Sequence, residues 1–203
     1  ISVGAISGIT AGNYILSTAT GTLTVQPAAL TITASNVAMN YGASSLPNLT
    51  YTAPGLVNGD TLSGALSTAA TAHVTGAAGS ASNVGTYAIV QGSLTASANY
   101  TVTFVAGTLT VNPVALTITA SSQSVVYGAG TTLSGTAFTS SGLVNGDTVS
   151  TVLAKYNNSA SVDVLTNAGV YANSIVLSSA SGVGLSNYTL QYSTGTLTVT
   201  PAT

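Results

Sequence analysis

Residues 99–120 read NYTVTFVAGTLTVNPVALTITA, and this stretch decides the fold. Tyr100, Val102 and Phe104 alternate with Thr101 and Thr103. Leu109 and Val111 alternate with Thr108 and Thr110, and Leu116, Ile118 and Ala120 alternate with Thr117 and Thr119. An apolar side chain at every second position puts one face of a strand on a core, and β-branched threonine suits the other face. Three strands are therefore expected here. Gly107 is read as the tight turn joining the first two, and Asn112-Pro113 as a unit boundary, because proline cannot donate to a sheet ladder.

The same words recur along the chain. ALTITAS stands at 29–35 and 115–121, GLVNGD at 55–60 and 142–147, and GTLTV at 107–111 and 195–199. From Ala29 to Ala115 is 86 residues, from Gly55 to Gly142 is 87, and from Gly107 to Gly195 is 88. Tyr41-Gly42 pairs in the same way with Tyr127-Gly128, and Asn99-Tyr100 with Asn187-Tyr188. A fixed period of this length marks an array of modules. Boundaries fall near 27/28 and 113/114, giving an incomplete unit at 1–27 and full units at 28–113 and 114–203. Short strands with frequent turns predict an all-β fold, each unit an Ig-like β-sandwich. Asn58-Gly59 and Asn145-Gly146 are the pair that type I′ hairpin turns prefer. In residues 1–27 strands are expected near Ile6–Ala11, Tyr14–Ser17 and Leu23–Val25. That fragment would be completed by an upstream segment or by strands of a neighbouring molecule, because half a sandwich leaves open edges.

Composition removes several function classes. Charged residues make up 2% of the chain, with one Lys or Arg in total, against about 25% in ordinary domains. Phosphate binding needs a basic footprint, so nucleic acid is not an expected partner. No apolar run nears the roughly 18 residues of a spanning helix, since Thr and Ser interrupt each one. Cysteine is absent, so no disulfide framework exists.

The order ALTITA, Tyr-Gly, GLVNGD, NVGTYAI (83–89), NYTVTF (99–104) and GTLTVNP (107–113) resembles the MBG, or mostly-beta-glycine, family of bacterial surface proteins. The resemblance covers about residues 28–201. The second unit departs from it at NAGVYANSI (167–175) and at the longer SSASGVGLSNY (178–188). It implies tandem modules in large exported adhesins and haemagglutinin-like proteins of Gram-negative bacteria, placing the chain outside the cell or on its surface. It carries over no catalytic residue and no cofactor.

Candidate sites are few. Asp60 and Asp147 share one repeat position after Asn-Gly and are the candidates for a calcium site. One Asp per unit and no Glu make such a site hard to assemble, so a turn-fixing Asp is the simpler reading. His73 stands alone and reads as a loop residue, which leaves a catalytic nucleophile without a base and argues against an enzyme. Lys155 and Asp163 could suggest an isopeptide bond, but the first unit has no Lys. The matched tyrosines (Tyr14 with Tyr100 and Tyr188, Tyr41 with Tyr127, Tyr87 with Tyr171) read as core residues whose hydroxyls reach backbone partners. Tyr51, Tyr156 and Tyr192 are the candidates for exposed rings that stack on sugars.

The expected function is therefore structural: an extracellular repeat array forming an adhesin stalk or the body of a self-assembling filament. Its partners would be neighbouring modules or other copies of the chain. The alternative is a carbohydrate-binding surface module facing a host or matrix glycan.

Overall fold

The computed structural model describes residues 20–203. The strands proposed at Ile6–Ala11 and Tyr14–Ser17 lie outside the described residues. Fourteen strands follow one another, with no α-helix among the described residues. In the first unit they are β1 (Ala28–Ala34), β2 (Val37–Asn40), β3 (Tyr51–Thr52), β4 (Ser67–Thr68), β5 (Gly85–Val90), β6 (Tyr100–Val105) and β7 (Gly107–Asn112). In the second they are β8 (Val114–Ala120), β9 (Gln123–Val126), β10 (Phe138–Ser141), β11 (Thr148–Lys155), β12 (Gly169–Val183), β13 (Tyr188–Ser193) and β14 (Gly195–Thr200).

Each unit holds a three-stranded and a four-stranded sheet. The orders are β3-β1-β6 and β2-β7-β5-β4 in the first, and β10-β8-β13 and β9-β14-β12-β11 in the second. The two units thus share one strand order. Alternation fixes which side chains enter: Leu30, Ile32, Leu109, Leu116, Ile118 and Leu197 are buried, and the threonines between them face outward or sit at the margin. Each fully buried Leu or Ile contributes about 1.5–3 kcal/mol. Buried apolar residues of both units, Ile89 and Leu109 with Leu116 and Tyr188 among them, form one contiguous cluster. A smaller cluster of Leu30, Ile32, Leu94 and Tyr100 lies apart in the first unit.

The strand partners differ from the expected hairpins. β6 and β7 do not pair; β6 lies parallel to β1, and β7 parallel to β2. The same holds for β13 with β8 and β14 with β9. Gly107 is therefore the point where the chain crosses between sheets. A Cβ there would lie 2.9 Å from the carbonyl oxygens of Ala34 and Ser35, so the crossing admits no side chain. The Asn-Gly pairs do form I′-like turns, with φ of 57° and 75° at Asn58 and Gly59 and 58° and 75° at Asn145 and Gly146. Asp60 N–H and Asp147 N–H close them on the Val57 and Val144 carbonyls. These turns join no hairpin: β10 and β11, on either side of Asn145-Gly146, belong to different sheets.

The strand proposed at Leu23–Val25 is also absent, and Leu23 is 70% exposed. Its counterpart Leu109 is buried because β2 and β5 flank β7. Residues 20–27 contain no segment that could take either place.

Candidate functional site at the joint between the units

The most polar buried cluster lies between the units, where the GLVNGD turn of the second meets the Tyr-Gly end of the first. β2 delivers Tyr41 to this end, and Tyr41 N–H is fastened to the Asn112 carbonyl just before the linker proline. The Tyr41 hydroxyl then donates to Asp147 Oδ2 at 2.8 Å and accepts from Asn145 Nδ2 at 2.7 Å. Tyr188 donates to the same carboxylate oxygen at 2.9 Å, and its ring meets that of Tyr41 edge-on, with centroids 5.6 Å apart. Tyr188 also binds the turn itself, accepting from Val144 N–H at 2.9 Å.

Asn145 reads several groups of the first unit at once. Its Oδ1 accepts from Ala81 N–H at 3.1 Å and lies 3.0 Å from His73 Nδ1, and its carbonyl accepts from Gly79 N–H at 2.9 Å. Beside it, Asn187 accepts from Val84 N–H at 2.8 Å and donates to Asn83 Oδ1 at 3.0 Å. Shape completes the contact. A Cβ on Gly42 would come within 2.5 Å of Val144 Cγ2, and one on Gly146 within 2.5 Å of the Ala78 methyl. Asn145, Asp147 and Asn187 are all buried, and no buried side-chain polar atom among the described residues lacks a partner. Satisfied buried polar networks specify one arrangement, since any shift strands a donor in low dielectric.

The cluster also sets the acidity of its phenols. Burial holds the Tyr41 hydroxyl above its ordinary value; the Asn145 amide opposes this and the Asp147 carboxylate adds to it. Burial raises Tyr188 further, against the Val144 backbone and with Asp147. Both phenols stay protonated and keep donating.

The sequence candidates fall as follows. Asp147 holds two tyrosine hydroxyls, while Asp60 holds that of Tyr100, at 2.8 Å, among the described residues. Among the described residues no three His, Cys, Asp or Glu side chains are grouped to hold a metal. Asp163 accepts from Leu165 N–H in a local turn. Tyr156 is not an exposed ring: it is 8% exposed, packed edge-on against Tyr171. Tyr192 is exposed, as Tyr51 is, and its hydroxyl accepts from Ala180 N–H. Tyr51 presents its ring in a shallow cleft of about 550 Å³ with Leu46, Pro47 and Leu66. Of the matched tyrosines, Tyr87 and Tyr171 reach the carbonyls of Asn83 and Asn167, as expected. Tyr127 departs from the core reading, being 41% exposed where Tyr41 is 3%.

Asn145, Asn187 and His73 were not expected to act together. Their recurrence with Asn58 and Asn99 (His73 excepted) was the available signal, but turn chemistry alone accounts for an Asn-Gly pair.

A family model described as MBG domain (YGX type) matches residues 30–110 and 116–198. No curated protein and no solved structure matches the chain.

Proposed function

We propose, since the chain belongs to the MBG domain (YGX type) family, that it is a structural repeat segment setting length and direction in an adhesin stalk or surface filament. Repeats of this family mark exported, repeat-type surface proteins. The observation that carries the reading is the Tyr41 hydroxyl held between Asn145 and Asp147 of the next unit. A linker alone would let units swivel, whereas a buried, hydrogen-bonded joint fixes their angle. Stiff joints let an array project its tip away from a surface, and each added unit adds length. In this reading the polar groups serve recognition between units, and the chain is not an enzyme.

Spin-label distances test this directly, because the chain contains no cysteine to interfere. With labels on cysteines replacing the exposed Thr61 and Ser150, a narrow distance distribution is expected, broadening in Tyr41→Ala. A broad distribution in the otherwise unaltered chain would refute the stiff joint. A second reading, glycan binding, is supported by the exposed Tyr51 ring in its cleft. A glycan array probed with the chain and with Tyr51→Ala tests it; signal lost in the variant supports it.

A further inference from the structure

We infer that Asn145-Gly146 is a self-modifying site gated by the joint: when the units part, Asn145 cyclises onto the Gly146 nitrogen, and hydrolysis leaves a carboxylate that keeps the joint open. The inference rests on the structural reading above and adds a covalent step to the same site. That step is intramolecular and needs only water. The Gly146 backbone nitrogen attacks Asn145 Cγ and a C–N bond forms; the Cγ–Nδ2 bond breaks, and ammonia leaves with the proton of the Gly146 amide. Water then opens the cyclic imide at either carbonyl, giving aspartate, or isoaspartate with the backbone rerouted through Cγ. Nothing is oxidised or reduced. Asparagine is thermolabile for this reason, and glycine after it places no side chain in the way of the attacking nitrogen.

The closed joint blocks the step. Asn145 Nδ2 is held by the Tyr41 oxygen at 2.7 Å, and Oδ1 by Ala81 N–H at 3.1 Å with His73 Nδ1 at 3.0 Å. Swinging Cγ onto the Gly146 nitrogen breaks these contacts, and burial of Asn145 excludes the water that hydrolysis consumes. Tyr41, His73 and Ala81 all belong to the first unit, so parting of the units frees the amide in one event. The turn itself does not depend on them. Asp147 N–H closes it on the Val144 carbonyl, and Tyr188 braces it through Val144 N–H, all within the second unit.

The joint also demands this labile pair. A Cβ at Gly146 would come within 2.5 Å of the Ala78 methyl, so glycine is required there. Tyr41 gives its proton to Asp147 Oδ2, so the group at 145 that meets its oxygen must donate. An amide donates; an aspartate offers only acceptors. After conversion an acceptor faces the Tyr41 oxygen where Nδ2 stood. It also brings a second negative charge within reach of the hydroxyl that Asp147 already engages. Like charges sharing a buried site oppose one another, and isoaspartate lengthens the backbone of the turn as well. The opened joint therefore does not reclose, and each opening carries a chance of permanent loss.

The full chain is aged in mildly alkaline buffer as Asn58→Gly, which keeps the left-handed backbone at φ 57° and leaves Asn145-Gly146 as the one Asn-Gly pair in the sequence. Peptide mass spectrometry follows the exchange of amide for acid at Asn145. Conversion is expected to be fast in urea and slow in the folded chain. Tyr41→Phe, which removes the Nδ2 partner and keeps the ring, should raise the folded rate about tenfold or more. Asn187→Ala, which weakens the joint away from Asn145, should raise it too, and circular dichroism reports that both variants are folded. Converted chain is separated by its added negative charge. Labelled at Thr61→Cys and Ser150→Cys, it should give a distance distribution as broad as that of Tyr41→Ala. Conversion as fast in the folded chain as in urea overturns the inference. So does a rate that neither variant moves, or a narrow distribution in the converted chain. Spin-label distances in the fresh chain succeed or fail independently, so an unmodified Asn145 leaves the stiff joint standing.

Discussion

Replacing Tyr41 by Phe removes one oxygen from the joint and keeps the ring against Tyr188. That oxygen gives Asp147 a hydrogen bond of 2.8 Å and receives one of 2.7 Å from Asn145. A bond to a carboxylate contributes about 1.5–3 kcal/mol, and a buried donor left without a partner costs about 1–3 kcal/mol. Some of this is recovered as the neighbours relax, so we expect a net loss of about 3 kcal/mol. The repeat provides its own control. Tyr127 occupies the same position with its ring in solvent, so Tyr127→Phe should change stability by less than about 0.5 kcal/mol. The chain has no Trp, so urea unfolding is best followed by circular dichroism. With a slope of about 2 kcal/mol per molar urea, Tyr41→Phe should lower the midpoint by roughly 1.5 M. Where the units unfold in separate steps, the loss should fall on the step that opens the joint. Equal midpoint shifts for the two tyrosine variants would show that the joint adds nothing to folding, and the structural argument would fail with it.

Other expected outcomes follow from the same pairing of used and unused positions. Tyr41 and Tyr188 have folded pKa values above the ordinary 10.0, so the unfolded chain loses these protons first. Stability is therefore full below about pH 10 and falls as pH rises further, and Tyr188→Phe should flatten the alkaline limb of a melting-temperature series. Gly42→Ala and Gly128→Ala share a left-handed backbone strain of about 1 kcal/mol. Only Gly42→Ala should add overpacking of about 1–3 kcal/mol against Val144, so thermal melts should separate the two variants. Asn187→Ala should strand Val84 N–H at a cost of about 1–3 kcal/mol, while Asn99→Ala stays near neutral in the same dilute-solution assay. With one basic and three acidic side chains, added salt should leave the melting temperature nearly unchanged.

Much of the fold could be read because alternation and repetition are local signals. Leu30, Ile32, Leu109 and Leu197 lie buried where alternation with threonine places them. Alternation says nothing about partners, however. A short glycine-containing link between two strands suits a hairpin as well as a crossing, and Gly107 lies at a crossing because β6 pairs with β1 and β7 with β2. Tyr156 was misplaced for a related reason: its burial depends on Tyr171, a contact that no local pattern encodes. The joint was the least legible part. Asn145 looks like a turn residue, which it also is, and its second task is visible only once Tyr41, His73 and Ala81 stand around it. The recurrence of Tyr-Gly, Asn-Gly-Asp and Asn-Tyr pointed to these positions without saying that Tyr-Gly of one unit meets the other two motifs in the next.

That division of labour explains how an array almost without charge fixes the order and angle of its units. Ion pairs cannot select a neighbour here, because the chain has too few of them to give a surface pattern. Selection passes instead to hydrogen bonds that must be buried to form, and these penalise misregister because a displaced donor is left dry. The groups involved also hold the unit's own turns, since Asn145 closes a left-handed turn and Tyr188 braces it through Val144. Folding of a unit thus preforms its side of the joint, and little ordering remains to be done when the Tyr-Gly turn of the other unit arrives. Tyr100 makes the matching bonds to Asp60 and Val57 in the first unit. A repeat built this way carries the Asn-Gly-Asp turn at one end and the Tyr-Gly turn at the other, so in the proposed array every added unit would reproduce the joint.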